Sequence, residues 1–112
     1  MSFRIYYLDD ELELLELFVD TFSEPGVEIT VFSEVASALE AINKQAPDLL
    51  FLDYRLAGTT GDEVALGLSP SIPKALITGD QQVKVKAKFE ALFSKPYRSD
   101  EIEAFIKKQR HL

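Results

Sequence analysis

Residues 48–53, Asp48-Leu49-Leu50-Phe51-Leu52-Asp53, form the stretch that decides the fold. Four consecutive apolar residues leave no polar face, which is typical of a strand buried on both sides in the middle of a parallel sheet. Pro47 precedes the run and Asp53 ends it. Because a strand of this kind needs a neighbour on each edge and helices over each face, the rest of the chain should supply both.

The segments around this strand supply them. Apolar runs bounded by turn or acidic residues predict four further strands, over residues 3–8, 27–32, 73–77 and 91–94. Apolar residues at helical spacing predict helices over 10–23 and 33–43, a short one over 60–67, and a last one from 99 onward. Ser33 and Ser99 are the predicted N-caps of the second and last helices, and Thr60 and Glu63 have capping-box spacing. The alternation predicts an α/β fold of one domain, residues 1–112, with a five-stranded parallel sheet and helices on both faces.

The segment between Thr78 and the fifth strand does not fit this alternation well. It has about a dozen residues, near the minimum for a crossover between parallel strands. Its sequence Val83-Lys-Val-Lys-Ala-Lys-Phe89 alternates with a period of two. Asp80 could cap a short helix with Val83 and Ala87 turned inward, and an extended connection is the alternative. We take the shortened helix as the prediction, so that both the third and the fourth helices are short.

Composition excludes several kinds of chemistry. The chain has 112 residues with no cysteine and a single histidine, His111, beside the C-terminus. Disulfides, thiolate metal sites, cysteine nucleophiles and histidine-based triads are therefore excluded. A hydrophobic content of 46% is enough for a core and excludes disorder. Carboxylates, hydroxyls and lysines must carry any chemistry.

Charge is distributed unevenly along the chain. The net charge is −7, yet residues 1–63 hold 14 acids and 3 bases, whereas residues 64–112 hold 5 acids and 9 bases. The acidic total argues against nucleic acid as a direct partner. No apolar run approaches the length of a membrane span and the first residues do not resemble a signal peptide, so we expect a cytoplasmic protein without membrane contact.

Polar side chains follow the predicted strands where each one ends. Asp9 and Asp10 follow the first strand, Asp53 the third, Thr78 the fourth and Lys95 the fifth. If the strand order is 2-1-3-4-5, these residues share one pocket at the carboxyl edge of the sheet, where open α/β sheets bind ligands. Crowded carboxylates need a cation among them, and oxygen ligands alone favour Mg²⁺. With an ammonium and a hydroxyl nearby the set suits a phosphoryl group, with Asp53 as the nucleophile.

The chain resembles the receiver domain of bacterial two-component response regulators, of the chemotaxis-regulator-like kind, over essentially its whole length. The resemblance is carried by the Asp9-Asp10 pair, Asp53, Thr78, Lys95-Pro96 and Gly61 eight residues after Asp53. It implies a flavodoxin-like doubly wound sheet, with phosphorylation of Asp53 by a sensor histidine kinase or phosphotransfer protein. Asp10, Asp53 and the backbone carbonyl of Arg55 would then bind Mg²⁺ directly, Asp9 largely through water, and the Lys95–Pro96 bond is often cis.

The sequence also departs from this family. Ala57 stands where the family usually has proline, which suggests a looser loop, and Leu92 stands at the usual position of a switch aromatic. These departures leave a pseudo-receiver, a phosphorylation-independent interaction module, as the alternative. A haloacid-dehalogenase-type phosphatase is set aside, because Arg55 occupies the place of the second aspartate that it requires.

The resemblance also implies how the chain acts. We expect it to catalyse only its own phosphorylation and dephosphorylation, so it is not an enzyme toward other substrates. We expect either a single-domain response regulator with a separate output protein or the receiver part of a longer protein, and consider a homodimer possible. Arg55 and Asp80 stand where the family tunes the lifetime of the phosphorylated state.

Overall fold

The structure is a computed structural model that describes residues 2–111. Strands and helices alternate along most of the chain. In chain order the elements are β1 (Phe3–Leu8), α1 (Leu12–Phe22), β2 (Val27–Phe32), α2 (Val35–Lys44), β3 (Leu49–Asp53), β4 (Arg55–Leu56), β5 (Thr59–Thr60), α3 (Gly61–Leu66), β6 (Lys74–Thr78), β7 (Ala91–Ser94) and α4 (Ser99–Arg110).

The main sheet has five parallel strands in the order β2-β1-β3-β6-β7. Counted along the sheet strands alone this is the predicted order 2-1-3-4-5, and the flavodoxin-like topology is confirmed. The central strand β3 is buried at every position, as its unbroken apolar run predicts. Its register places Asp53 opposite Ile77, one residue before Thr78. The carboxyl ends of β1, β3 and β6 are therefore neighbours.

Two hydrophobic cores lie on the two faces of this sheet. On one face α1 and α4 pack on the strands, with Phe18 and Ile102 fully buried against Tyr7 and Phe51. On the other face α2 and α3 cover Leu50, Leu52 and Leu76. Alternate residues of each strand point to opposite faces, so each strand contributes to both cores. The prediction of helices on both faces is confirmed.

The helix starts differ in detail from the predictions. Thr60 accepts a hydrogen bond from the Glu63 backbone N–H at 3.1 Å, which confirms the cap of α3. The predicted serine caps are wrong: α2 follows Glu34 and α4 follows Arg98, both in extended backbone and neither with a side-chain cap. Ser99 is the first residue of α4, where acids of the first turn and bases of the last turn still complement the helix dipole.

The segment 79–90 corrects a second prediction. The third helix is short, as expected, but residues 79–90 contain neither helix nor strand; they form an irregular connection with bends at residues 79, 81, 82, 87 and 90. Val83, Val85, Ala87 and Phe89 are half-buried against the second core, and the lysines between them are exposed. The period-two pattern fits this burial, because a chain close to the extended conformation turns every second residue toward the sheet.

No helix of residues 2–111 is both long enough and apolar enough to cross a membrane.

Candidate functional site at the carboxyl edge of the sheet

The structure brings the strand-end residues together. Asp9 follows β1, Asp53 ends β3, Thr78 ends β6 and Lys95 follows β7. The backbone N–H of Lys95 donates to the carbonyl of Thr78 at 2.8 Å, which joins the last two strand ends. The side chains of Asp9, Asp53 and Thr78 are buried despite their polarity. Because burying polar side chains is costly, a cluster of them at one edge of the sheet indicates a functional site.

Lys95 lies at the centre of the acidic cluster. Its ammonium is 3.0 Å from Asp53 Oδ1 and 3.1 Å from Asp9 Oδ2, with Glu11 Oε1 further out at 3.6 Å. The Lys95–Pro96 peptide bond is cis, as the family resemblance implied. One cation thus pairs with two buried carboxylates from different strands, and this pairing offsets part of the cost of burying them.

Asp9 is the most enclosed of the acids. Its side chain is fully buried and its Oδ2 accepts hydrogen bonds from the hydroxyl of Tyr7 and the ammonium of Lys95. Its Oδ1 accepts from the backbone N–H of Glu11 at 2.9 Å. Because both oxygens have donors, the orientation of this carboxylate is fixed.

Burial and the neighbouring charges perturb the acid–base groups of the cluster. Burial raises the pKa of Asp53 to about 6, and the charges of Asp9 and Asp10 add to this, while Lys95 opposes it. Burial works to lower the pKa of Lys95, but the hydrogen bonds and charges of Asp53 and Asp9 outweigh it and raise that pKa. Lys95 is therefore a permanent cation at neutral pH.

Three carboxylates of this cluster fit a divalent cation. One oxygen each of Asp9, Asp10 and Asp53 can be chosen so that all three lie within 4.8 Å of one another. Asp9 and Asp53 are buried and Asp10 is exposed, so the cluster opens to solvent on one side. An all-oxygen set with access to water is the chemistry that Mg²⁺ prefers. The residues present therefore fit the predicted metal.

Thr78 and Asp80 form a tight turn after β6. The Thr78 hydroxyl accepts a hydrogen bond from the backbone N–H of Asp80 at 3.0 Å. The Asp80 carboxylate pairs with the guanidinium of Arg55 at 2.9 Å. Arg55 and Asp80 also line an open cavity of about 640 Å³ with Tyr54 and Gly79. The chain segments that leave β3 and β6 are thus linked by an ion pair next to the site.

The loop after Asp53 contains regular secondary structure. Arg55–Leu56 pairs with Thr59–Thr60 as a small antiparallel hairpin, and Gly58 has the positive φ of 79° that its turn requires. A Cβ at Gly61 would lie 2.3 Å from the carbonyl oxygen of Asp53, so only glycine allows the hairpin to close against the end of β3. The chain on both sides of Ala57 is therefore paired as a hairpin.

Sequence reasoning missed two residues of this region. One is Tyr7, and the signal that indicates it is its position two residues before Asp9, which places both side chains on one face of the extended strand. The other is Asp62, which lies between the predicted capping residues Thr60 and Glu63. Its buried carboxylate accepts backbone hydrogen bonds from Lys86 and Ala87 at 2.8–3.0 Å. Because that contact spans 24 positions, nothing local in the sequence indicates it.

Leu92, at the usual position of the switch aromatic, and its neighbour Phe93 lie on opposite faces of β7. Leu92 is 55% exposed, whereas Phe93 points to the other face and packs on Phe51 and Phe105 with ring centroids 6.4 and 5.5 Å apart. Phe93 is therefore part of the first core, and the exposed face of β7 carries an aliphatic residue.

Comparisons with known proteins agree on one family. Residues 5–107 match the response regulator receiver domain. The sensory transduction protein LytT of Bacillus subtilis is 33% identical over 117 aligned residues, which cover 96% of this chain and 48% of LytT. The response regulator protein TodT of Pseudomonas putida is 29% identical, over 92% of this chain and 49% of TodT. The chain spans about half the length of the curated relatives it matches.

A solved structure shows the same fold. The signal receiver domain of an HD domain-containing protein from Pseudomonas fluorescens Pf-5 superposes with a TM-score of 0.90. The match covers 99% of this chain and 96% of that one at 18% identity. At this identity the likeness concerns the fold alone.

Proposed function

The chain belongs to the response regulator receiver domain family, and on that premise we propose that it accepts a phosphoryl group on Asp53 in a two-component phosphorelay. The observation that carries the proposal is the ammonium of Lys95 between Asp53 and Asp9, beside a carboxylate cluster that fits a divalent cation. A purely structural ion pair would not need the third, exposed carboxylate of Asp10. The set matches the charges of a phosphoryl group, whose oxygens need cations and hydrogen-bond donors.

Asp53 acts as the nucleophile in the proposed step. One carboxylate oxygen of Asp53 forms a bond to phosphorus while the phosphorus–nitrogen bond of a phosphohistidine breaks, and the electron pair of that bond returns to the imidazole. Once the negative charge of Asp53 is shared with the phosphoryl group, its pairing with Lys95 weakens. The ammonium of Lys95 would then pair with the phosphoryl oxygens. Thr78 offers its hydroxyl proton, which its hydrogen bond from Asp80 leaves free to donate.

Asp9, Asp10 and Asp53 are the side chains that would hold Mg²⁺, with the backbone carbonyl of Arg55 as the further ligand that the resemblance implies. When bound, Mg²⁺ would neutralise charge on the transferring phosphoryl oxygens. The exposure of Asp10 gives the ion a route from solvent. Asp9, whose two oxygens already have donors, would contribute mainly by charge and through water.

We propose that Arg55 and Asp80 set the lifetime of the phosphorylated state. Their ion pair joins the two chain segments that leave the site, and together they line its neighbouring cavity. Breaking the pair would free both segments and admit water more readily, so we expect Arg55→Ala and Asp80→Ala to shorten the lifetime. Because the pair is exposed, folding stability should change by no more than about 0.5 kcal/mol.

The donor in this proposal is a sensor histidine kinase or phosphotransfer protein, and the signal passes to an output partner by protein contact. A cytoplasmic location and the absence of catalysis on other substrates belong to the same proposal. The relatives LytT and TodT are about twice as long as this chain. The proposal therefore concerns the receiver domain alone.

Acetyl phosphate with Mg²⁺, followed by intact-mass measurement, tests the proposal. We expect the gain of one phosphoryl mass in the wild-type protein and none in Asp53→Asn. A matched control is Asp48→Asn, which removes an exposed carboxylate just before the opposite end of the same strand. Removal of Mg²⁺ with a chelator should abolish the gain.

The pseudo-receiver alternative gives the opposite result. Under this alternative, the wild-type protein gains no mass. Its tyrosine emission also does not change on addition of Mg²⁺, although Tyr54 directly follows Asp53 and would respond to binding there. A mass gain that persists in Asp53→Asn would also contradict the proposal, because the phosphoryl group would then lie elsewhere.

A further inference from the structure

A buried hydroxyl lies directly against the acidic cluster. Tyr7 is fully buried in β1, and its hydroxyl donates a hydrogen bond to Asp9 Oδ2. Its ring packs on Phe18 and Phe51, with ring centroids 4.6 and 6.4 Å away. A phenylalanine would fill the same space, so packing in the core explains the ring of Tyr7 but not its hydroxyl.

The hydroxyl of Tyr7 is held in place by the sheet and the core. In the register of β1, Tyr7 lies opposite Val31 on one side and Phe51 on the other, so strands on both edges fix its backbone. The aromatic residues of the first core fix the ring, since close packing leaves it no room to turn. The hydroxyl therefore stays at Asp9 without any flexible segment having to be ordered.

The hydrogen bonds of Asp9 leave little of its carboxylate for a cation. A carboxylate has about four acceptor sites, two on each oxygen. On Oδ2 both sites are used, by the hydroxyl of Tyr7 and by the ammonium of Lys95 at 3.1 Å. On Oδ1 the backbone N–H of Glu11 uses one site at 2.9 Å. Only the second site of Oδ1 is left without a donor from the described residues.

This arrangement bears on which divalent cation the cluster binds. Ca²⁺ takes about 6–8 oxygen ligands and often binds a carboxylate through both oxygens, whereas Mg²⁺ is octahedral and usually keeps several of its waters. Asp9 can offer a cation one oxygen directly, or act through a water molecule, but it cannot offer both oxygens. The hydroxyl of Tyr7 therefore removes a ligand that Ca²⁺ would use and that Mg²⁺ does not need.

We propose that Tyr7 is a positioning residue that makes the carboxylate cluster selective for Mg²⁺ over Ca²⁺, by keeping Asp9 Oδ2 from the cation. Without the hydroxyl, Asp9 has a free acceptor site on each oxygen and can bind Ca²⁺ through both. The inference rests on the proposed function, which assigns a divalent cation to Asp9, Asp10 and Asp53, and it names what sets the choice of that cation.

Isothermal titration calorimetry with Ca²⁺ and Mg²⁺, each titrated alone into the wild type and Tyr7→Phe, tests the proposal. We expect the variant to bind Ca²⁺ about tenfold more tightly and Mg²⁺ less than about threefold more tightly. The ratio of the dissociation constants of Ca²⁺ and Mg²⁺ should therefore fall. The matched control is Tyr6→Phe, which removes the hydroxyl of the neighbouring residue. That hydroxyl lies on the other face of the sheet, where it donates to the carbonyl of Gln45, and its loss should leave the ratio unchanged.

A double-mutant cycle with Asp9→Asn separates the contact from other effects of Tyr7. In the Asp9→Asn background no carboxylate oxygen is released, so adding Tyr7→Phe should leave the ratio of the two dissociation constants unchanged. The shift of the thermal unfolding midpoint on addition of each cation gives the same ratio for a variant that is less stable than the wild type. A merely structural role of Tyr7 would lower the midpoint and leave the ratio as it is.

Four results would overturn the proposal. They are binding of neither cation, an unchanged ratio in Tyr7→Phe, an equal change in Tyr6→Phe, and a change of ratio that persists in the Asp9→Asn background. The titrations use no phosphoryl donor, so the two proposals can fail separately. A mass gain from acetyl phosphate with an unchanged ratio overturns the role of Tyr7 alone, whereas a changed ratio without a mass gain overturns phosphoryl transfer alone.

Discussion

The ammonium of Lys95 lies 3.0 Å from Asp53 Oδ1, and the same ammonium is 3.1 Å from the fully buried Asp9. Lys95 follows the edge strand β7, whereas Asp53 ends the central strand β3. The contact therefore crosses the width of β6 and joins three strand ends. It gives the pocket a cation of its own before any metal binds, so the site and the stability of the fold depend on the same side chain.

Replacing Lys95 should destabilise the metal-free protein strongly. In Lys95→Met the carboxylates of Asp9 and Asp53 lose their cation, and breaking a buried pair in this way typically costs about 3 kcal/mol or more. Urea unfolding in the presence of a chelator measures the loss. Lys44→Met, which removes an exposed pair with Glu40, should cost no more than about 0.5 kcal/mol. Equal effects of the two variants would contradict a central role for Lys95.

Stability should depend on pH through Asp53. Its pKa is raised from 3.8 to about 6 on folding, so between these values the folded state binds more protons than the unfolded state. The free energy of unfolding therefore falls as pH rises through this window, by up to about 3 kcal/mol for a shift of about two units. Asp53→Asn has no carboxylate to titrate at this position, so its free energy of unfolding should not fall in this way. The difference in the free energy of unfolding between Asp53→Asn and the wild type should therefore grow, in favour of the variant, from pH about 4 to pH about 7.

Urea unfolding without metal across this pH range checks the prediction. Asp20→Asn, on the exposed side of α1, removes the same charge outside the pocket and should show no such growing advantage. Added Mg²⁺ should stabilise the wild type and reduce the difference from Asp53→Asn, because the cation offsets the repulsion among the carboxylates. A difference that stays constant with pH would argue against a raised pKa of Asp53.

The hydroxyl of Tyr7 should contribute to stability more than that of its neighbour Tyr6. Tyr7 donates to the buried carboxylate of Asp9, whereas Tyr6 donates to the backbone carbonyl of Gln45 at 3.0 Å. Hydrogen bonds to charged groups are worth about 1.5–3 kcal/mol and neutral ones about 1 kcal/mol. Thermal or urea unfolding of Tyr7→Phe and Tyr6→Phe measures both, and a smaller loss for Tyr7→Phe would disagree with this assignment.

The sheet could be predicted from sequence because its signals are local. The strands at 3–8, 27–32 and 91–94 have the predicted bounds, β3 covers residues 49–53 of the predicted stretch 48–53, and β6 begins and ends one residue later than expected. An apolar run or an alternation is enough to fix a strand, and parallel order then places its end beside its neighbours. The approach of Asp9, Asp53 and Lys95 follows from that topology, without any knowledge of side-chain contacts.

The rest depended on contacts between distant residues. Period-two and helical patterns competed in residues 79–90, and the helix was the wrong choice because Asp62 and the sheet face stabilise the irregular connection. Ser33 and Ser99 were wrong as caps, since a serine before an apolar run indicates a helix start only to within a residue or two. The hydrogen bond from Tyr7 to Asp9 was missed because a tyrosine in a strand is normally explained by packing alone.

Asp62 should control the conformation of residues 83–89. In Asp62→Asn the side-chain oxygen can no longer accept all the N–H groups of Lys86 and Ala87, because one carboxylate oxygen becomes a donor NH₂. We expect faster hydrogen exchange across this segment, with a loss of stability of about 2 kcal/mol. Glu63→Gln, at the next and exposed position of α3, is the matched control and should leave exchange unchanged. Amide exchange followed by mass spectrometry or NMR measures both variants. If the packing of Val83, Val85 and Phe89 alone holds the segment, amide exchange in Asp62→Asn will equal that of the wild type. In that case the role assigned to Asp62 will be wrong.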